Sequence, residues 1–178
     1  MKMKVHDKMK VHNKKEDPAF EIQSTLFKSS VTIREGGEPV SPFAFIVRED
    51  SLHGMVPLEE YEKDDWKQVM KIVASETNAD ALIFNAEAWS KTSESDEDTA
   101  STLSAISAGM SVKELEGSSE IIISYVETKD GRSRTIFSEI DDEGTLSEPK
   151  VGVIAPINFS GKLTGFFSDE SGEDPVVP

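Results

Sequence analysis

Residues 121–127 read IIISYVE and residues 133–140 read SRTIFSEI, with Lys129-Asp130-Gly131-Arg132 between them. Both runs are rich in β-branched and aromatic residues, which suit a pleated, half-buried surface. An Asp-Gly pair between such runs marks a tight hairpin turn, because the turn requires positive φ at its centre. The stretch predicts a β-hairpin and places a sheet at the heart of the domain. Downstream, a polar turn at residues 141–144 leads to VGVIAPINF (151–159). Pro156 cannot donate to a ladder, so that run is expected as an edge strand or extended segment.

Upstream, residues 79–89 read ADALIFNAEAW and predict another strand. Alternation puts Ala81, Ile83, Asn85, Glu87 and Trp89 on one side and Leu82, Phe84, Ala86 and Ala88 on the other. The second side is apolar and small and is expected to carry a helix. On the first side Asn85 and Glu87 are costly in a sheet centre unless paired or wet. Arg132 or Arg134 is a candidate partner for Glu87, and Tyr125 or His53 for Asn85. Two readings follow: a polar pocket beneath Trp89, or a solvent-facing sheet side with a covering tryptophan.

Further back, Asp64-Asp65 precede Trp66, Val69, Met70, Val73 and Thr77 at helical spacing, predicting a helix over 64–78. PFAFIVRED (42–50) reads as a buried strand ending in a turn at residues 51–54, with Met55-Val56 pairing back on it. Strand, helix, strand within fifty residues suggests a right-handed βαβ crossover. Asp17-Pro18 is a helix start, since proline at the first position lacks only an N–H that had no partner. Phe20, Phe27 and Val31 continue an apolar face until Gly36-Gly37 and Pro39, predicting a helix over 17–35, although SVTIRE (30–35) also suits a strand. Residues 90–119 are serine-rich and acidic. They read as a long surface loop, with Leu103, Ile106 and Met110 allowing a weak helix that ends near Gly109.

The expected fold is therefore α/β (α+β). One small domain, residues 16–165, holds a mixed sheet of about five strands, helices 17–35 and 64–78 packed on one face, and a C-terminal β-hairpin. Residues 1–15 and 166–178 are expected as disordered tails, one basic and one acidic.

The 178 residues contain no cysteine, which excludes disulfides, thiolate nucleophiles and the usual structural zinc sites. The longest apolar run, around residues 43–47, is far short of the ~20 residues of a membrane helix. The start, MKMKVHDKMK, has no apolar h-region, so no secretory signal is expected and the expected location is the cytoplasm. Net charge is −15, from 19 basic and 34 acidic residues. Six lysines, with Asp7 as the only acid, crowd the first fifteen residues, where KMKVH occurs twice (2–6 and 8–12). Setting these apart leaves 13 bases against 33 acids over residues 16–178, a net −20. Such a body repels phosphate backbones, so direct nucleic-acid binding is disfavoured. An acidic surface fits either a basic protein partner or solubility alone, and solubility is the simpler reading.

No phosphate-binding glycine loop, GxSxG elbow or HExxH motif occurs. His6 and His12 lie in the basic segment, so His53 is the only imidazole of the body, in a context (SLHGM) that reads as a turn. Asp96 and Asp98 lack the glycine and closing glutamate of a calcium hand, and residues 141–144 are more simply a turn. No cofactor is expected.

The succession of PFAFIV, a tryptophan-bearing helix, ADALIFNAEAW and IIISYVET with DGR resembles a group of small uncharacterised prokaryotic and phage-encoded α/β proteins. The resemblance spans roughly residues 40–140 and implies a small mixed sheet with a helical layer and no established activity. The basic repeat and the acidic serine-rich stretch depart from that pattern.

The leading functional expectation is a non-catalytic binding or regulatory module, because nucleophile–base pairs and phosphate loops are missing. Candidate binding residues are Asn85, Glu87, Trp89, Glu120, Tyr125, Arg132 and His53. A second expectation is a metal-dependent carboxylate hydrolase using Glu87 and Glu120 at strand ends, which requires environments that split their proton affinities. A third is an acidic decoy that captures a basic protein.

Overall fold

The computed structural model describes residues 16–91, 96–110, 112–152, 157–158 and 161–167. The lysine-rich repeat, Pro156 and the acidic end from residue 168 lie outside these. Helix α1, Pro18–Glu35, starts where expected: the Asp17 carboxylate accepts the Ala19 N–H at 2.8 Å and Pro18 occupies the first turn. It ends at Gly36, with Gly37 left-handed at φ 90° and the Glu38 N–H returning to the Ile33 carbonyl at 3.2 Å. SVTIRE is thus helical.

Strands β1 (Phe43–Arg48), β2 (Ser51–Pro57), β3 (Ala81–Lys91), β4 (Ser118–Thr128), β5 (Ser133–Ile140) and β6 (Lys150–Gly152) form one open sheet in the order β2-β1-β3-β4-β5-β6. Every pairing is antiparallel, so the expected mixed sheet of about five strands is a six-stranded antiparallel one. The reason is one turn. Glu49 and Asp50 both adopt left-handed φ (51° and 63°), closing a two-residue hairpin that sends β2 straight back along β1. The expected turn at 51–54 is instead strand, with His53 as the extra residue of a bulge between the pairs Ile46–Gly54 and Val47–Leu52. Helix α2, Trp66–Glu76, then carries the chain from β2 to β3, which lies antiparallel to β1. The crossover therefore links β2 and β3, which run the same way with β1 between them, and not β1 and β3.

The helices pack on opposite faces, not on one. On one face Ala19 of α1 meets Val47, Ala81, Ile83 and Val126, and Phe27 meets Ile122, Ile136 and Ile140. On the other, Trp66, Met70 and Ala74 of α2 meet Ala44, Ile46, Leu82, Phe84 and Ala86. Both sides of β3 are apolar enough at one end to need a cover, and each helix supplies one. Leu163 and Phe166, each 2% exposed, complete the α2 side, so the core continues past residue 165.

The β4–β5 hairpin closes through Gly131 at φ 91°. The Thr128 hydroxyl, and after it Arg132, hold the Asp130 carboxyl below its usual range. The hairpin is not the C-terminal edge, because β6 pairs with β5, and Ile157–Asn158 (β7) and Gly161–Lys162 (β8) form a separate ribbon. Within the acidic stretch, helix α3 spans Asp96–Ser107, starting earlier than expected, with Asp96 and Glu97 at the positive end of its dipole. No helix among the described residues is long and apolar enough to cross a membrane.

Tyr125 lies on the α2 face, edge-on to Phe166 with ring centroids 6.0 Å apart, and donates to Glu127 at 2.9 Å. Burial first, then the Glu127 charge and hydrogen bond, push its phenol well above its ordinary value. A raised folded-state pKa contributes stability that is complete below the unfolded value of about 10 and is lost as pH rises through the folded one. Alkaline titration of phenolate absorbance is expected to show Tyr125 ionising only on unfolding. Tyr125→Phe is expected to flatten the alkaline loss of stability, and an unchanged alkaline profile in that variant would refute the assignment.

Candidate functional site

The row Asn85, Glu87, Trp89 lies on the α1 face of β3, and it is not a solvent-facing side. Asn85 is 2% exposed and donates its amide N–H to the Ser30 hydroxyl at 3.1 Å. Its carbonyl oxygen and the hydroxyl of Ser124, opposite it on β4, have no hydrogen-bond partner among the described residues. Neither Tyr125 nor His53 reaches Asn85: Tyr125 opposes Phe84 and faces α2, while His53 is exposed on the far edge strand.

Glu87 accepts the Val40 N–H at 2.6 Å, and Arg34 from the last turn of α1 stands 3.6 Å from it. The same guanidinium lies 3.7 Å from Glu120. Arg34, not Arg132 or Arg134, is the partner of Glu87. The register explains this: Glu87 opposes Ile122, which opposes Ser138, whereas Arg134 sits across from Val126 at the other end of the sheet. There Arg134 donates to Gln23, Ser24, Glu16 and the Phe20 carbonyl, and Arg132 pairs with Asp17 and Asp130. Of the seven candidate residues the fold therefore gathers Glu87, Trp89 and Glu120 at one end of the α1 face. It buries Asn85 behind them and leaves Tyr125, Arg132 and His53 elsewhere.

Trp89 is 38% exposed and opposes Glu120, which opposes Ile140. Beside it opens a cleft of about 410 Å³ lined by Arg34, Trp89, Ser118, Ser119, Glu120, Ile140, Asp141, Asp142 and Gly144. The Lys113 ammonium lies over the indole, 5.5 Å from its centroid. Asp141 closes the β5–β6 turn by accepting the Glu143 and Thr145 N–H groups at 2.9 and 2.8 Å, and Asp141 and Asp142 both line the cleft. Asp141 and Asp142 lie in the turn expected at 141–144 but were not expected at a site, and neither Arg34 nor Lys113 was singled out. For Arg34 a signal existed, since Gln23, Ser30 and Arg34 recur at i, i+7 and i+11, a polar stripe matching the polar row of β3.

Chemically, the cleft offers one indole face and three carboxylates against one guanidinium. General acid–base work needs two carboxyls in contrasting environments, and here Glu87 and Glu120 both face Arg34. No group of three or more His, Cys, Asp or Glu among the described residues is placed to hold a metal ion.

The fold thus defines an α+β protein built on an open antiparallel sheet, with a small acidic cleft at one sheet end. No protein-family model matches the chain, and no curated protein or solved structure is similar to it.

Proposed function

We propose that the protein is a non-catalytic binding module that captures a lysine or arginine side chain of a partner protein in the cleft beside Trp89. The observation that carries this reading is the half-exposed indole already facing an ammonium, at the mouth of a cleft bearing Glu120, Asp141 and Asp142. A cation over an exposed aromatic ring is worth about 0.5–1 kcal/mol. Each exposed carboxylate adds about 0.2–1 kcal/mol. One cationic side chain is accordingly held weakly, and a partner with several gains affinity by multivalency. The net −20 of residues 16–178 steers such a partner in, with a strong dependence on salt. A metal-dependent hydrolase draws no support from a carboxylate pair shared by one guanidinium.

Titration with a tetralysine peptide, followed by tryptophan fluorescence, tests the reading. The other tryptophan, Trp66, is buried, so the response reports on Trp89. The expected result is a saturable change that weakens with salt and falls in Glu120→Gln. A change matched by a tetraserine peptide, or none, overturns it.

A further inference from the structure

Among the described residues, β2 is the outermost strand on its side of the sheet. Leu58 donates its N–H to the Pro42 carbonyl at 2.9 Å, so Leu58 faces β1. Backbone groups alternate in direction along an antiparallel strand, so Val56 and Gly54 also face β1 while Pro57 and Met55 face outward. His53 is the extra residue of the bulge, and beyond it the outward position falls on Leu52. The N–H and carbonyl groups of Leu52 and Met55, with the Pro57 carbonyl, thus line the open edge.

The bulge has a second effect. Side chains three residues apart on a regular strand lie on opposite faces. The extra residue instead puts Leu52 opposite Val47 and Met55 opposite Phe45, on the same face, and the two are 48% and 60% exposed. The strand Ser51–Pro57 carries no Asp, Glu, Lys or Arg, whereas exposed Glu49 and Asp50 precede it and exposed Glu59 and Glu60 follow it.

We propose that this edge docks an extended segment of a partner protein, apolar at alternate positions and bearing Lys or Arg at its ends, which adds a strand to β2. The backbone groups of Leu52 and Met55 supply the ladder, their side chains supply an apolar strip, and the acidic flanks select cationic ends. Charge argues against a second copy of this chain. Antiparallel self-pairing lays residues 49–50 of one copy beside residues 59–60 of the other, and parallel pairing lays each acidic end beside itself. The bulge and Pro57 restrict the ladder to a few residues, which suppresses indiscriminate edge pairing and leaves selection to the side chains. The edge is separate from the Trp89 cleft and stands or falls independently of it.

Amide exchange of the full chain, with and without the synthetic peptide Lys-Val-Thr-Val-Thr-Val-Lys, tests the proposal. The peptide is expected to slow exchange at Leu52 and Met55, and replacing its two lysines by glutamate is expected to weaken binding about tenfold or more. Met55→Pro removes an outward N–H that the β1 ladder does not use, so binding is lost while the melting temperature holds; Met55→Lys serves if the proline variant fails to fold. Absence of protection, or binding retained by the folded variants, overturns the proposal. So does protection in the protein alone, which assigns the edge to a second copy if the mass doubles and to the chain's own lysine-rich residues if it does not.

Discussion

Glu127→Ala is expected to cost about 3 kcal/mol of folding stability, a large share of the 5–15 kcal/mol of an ordinary domain. One carboxylate there accepts four donors. Its first oxygen takes the Tyr125 hydroxyl at 2.9 Å and the Gly165 N–H at 2.8 Å. Its second takes the N–H groups of Phe166 at 2.8 Å and Phe167 at 3.4 Å. Successive backbone N–H groups around an anion form a concave nest that favours negative charge. Removing the anion strands three N–H groups and the buried phenol, and it also releases Phe166 and Leu163 from the α2 side of the core. Urea unfolding measures the loss, and limited proteolysis within residues 163–167 is expected to accelerate. Glu127→Gln keeps an acceptor and is expected to fall between. A loss below about 1 kcal/mol would mean that the aromatic contact alone holds this segment.

A comparable loss is expected from Gln23→Met, about 2–3 kcal/mol, with Gln23→Ala costing more. Gln23 is fully buried, and its amide nitrogen donates at 3.0 Å to the carbonyls of both Ser124 and Arg134. Its carbonyl oxygen accepts from Arg134 at 2.8 Å. Methionine fills nearly the same space, so that variant isolates the stranded polar groups from the cavity that alanine adds. Arg134 keeps its contacts to Glu16, Ser24, the Phe20 carbonyl and the Phe20 ring 4.9 Å away, so the start of α1 stays docked. Chemical denaturation of the two variants checks the order. If Gln23→Met matches the parent protein, the amide contributes volume and not hydrogen bonds.

Gln23 also marks where local reading stops. It sits in α1 like any helix glutamine, and its partners lie 101 and 111 residues away. No spacing within the helix announces them. Glu87 is similar: the need for a partner was legible from alternation along β3, but the choice of Arg34 over Arg134 depends on how α1 lies across the sheet. The cleft beside Trp89 likewise assembles from the ends of α1, β3, β4 and β5, four separate segments.

What the sequence determined alone are the features whose causes lie within a few residues. Asp17-Pro18 starts α1, Gly37 ends it, Asp130-Gly131 turns β4 into β5, and the alternation of β3 sorts its two faces. Strand direction and helix placement were decided by tertiary structure. Asp50 tolerates left-handed φ, but Glu49 ordinarily avoids it and no glycine follows, so the pair does not by itself mark a hairpin; the pairing of β1 with β2 on one side and β3 on the other holds them there. That one turn reverses β2, makes the whole sheet antiparallel and leaves α2 on the face opposite α1. Local preferences of about 1 kcal/mol per residue are outweighed there by the burial that the completed sheet secures.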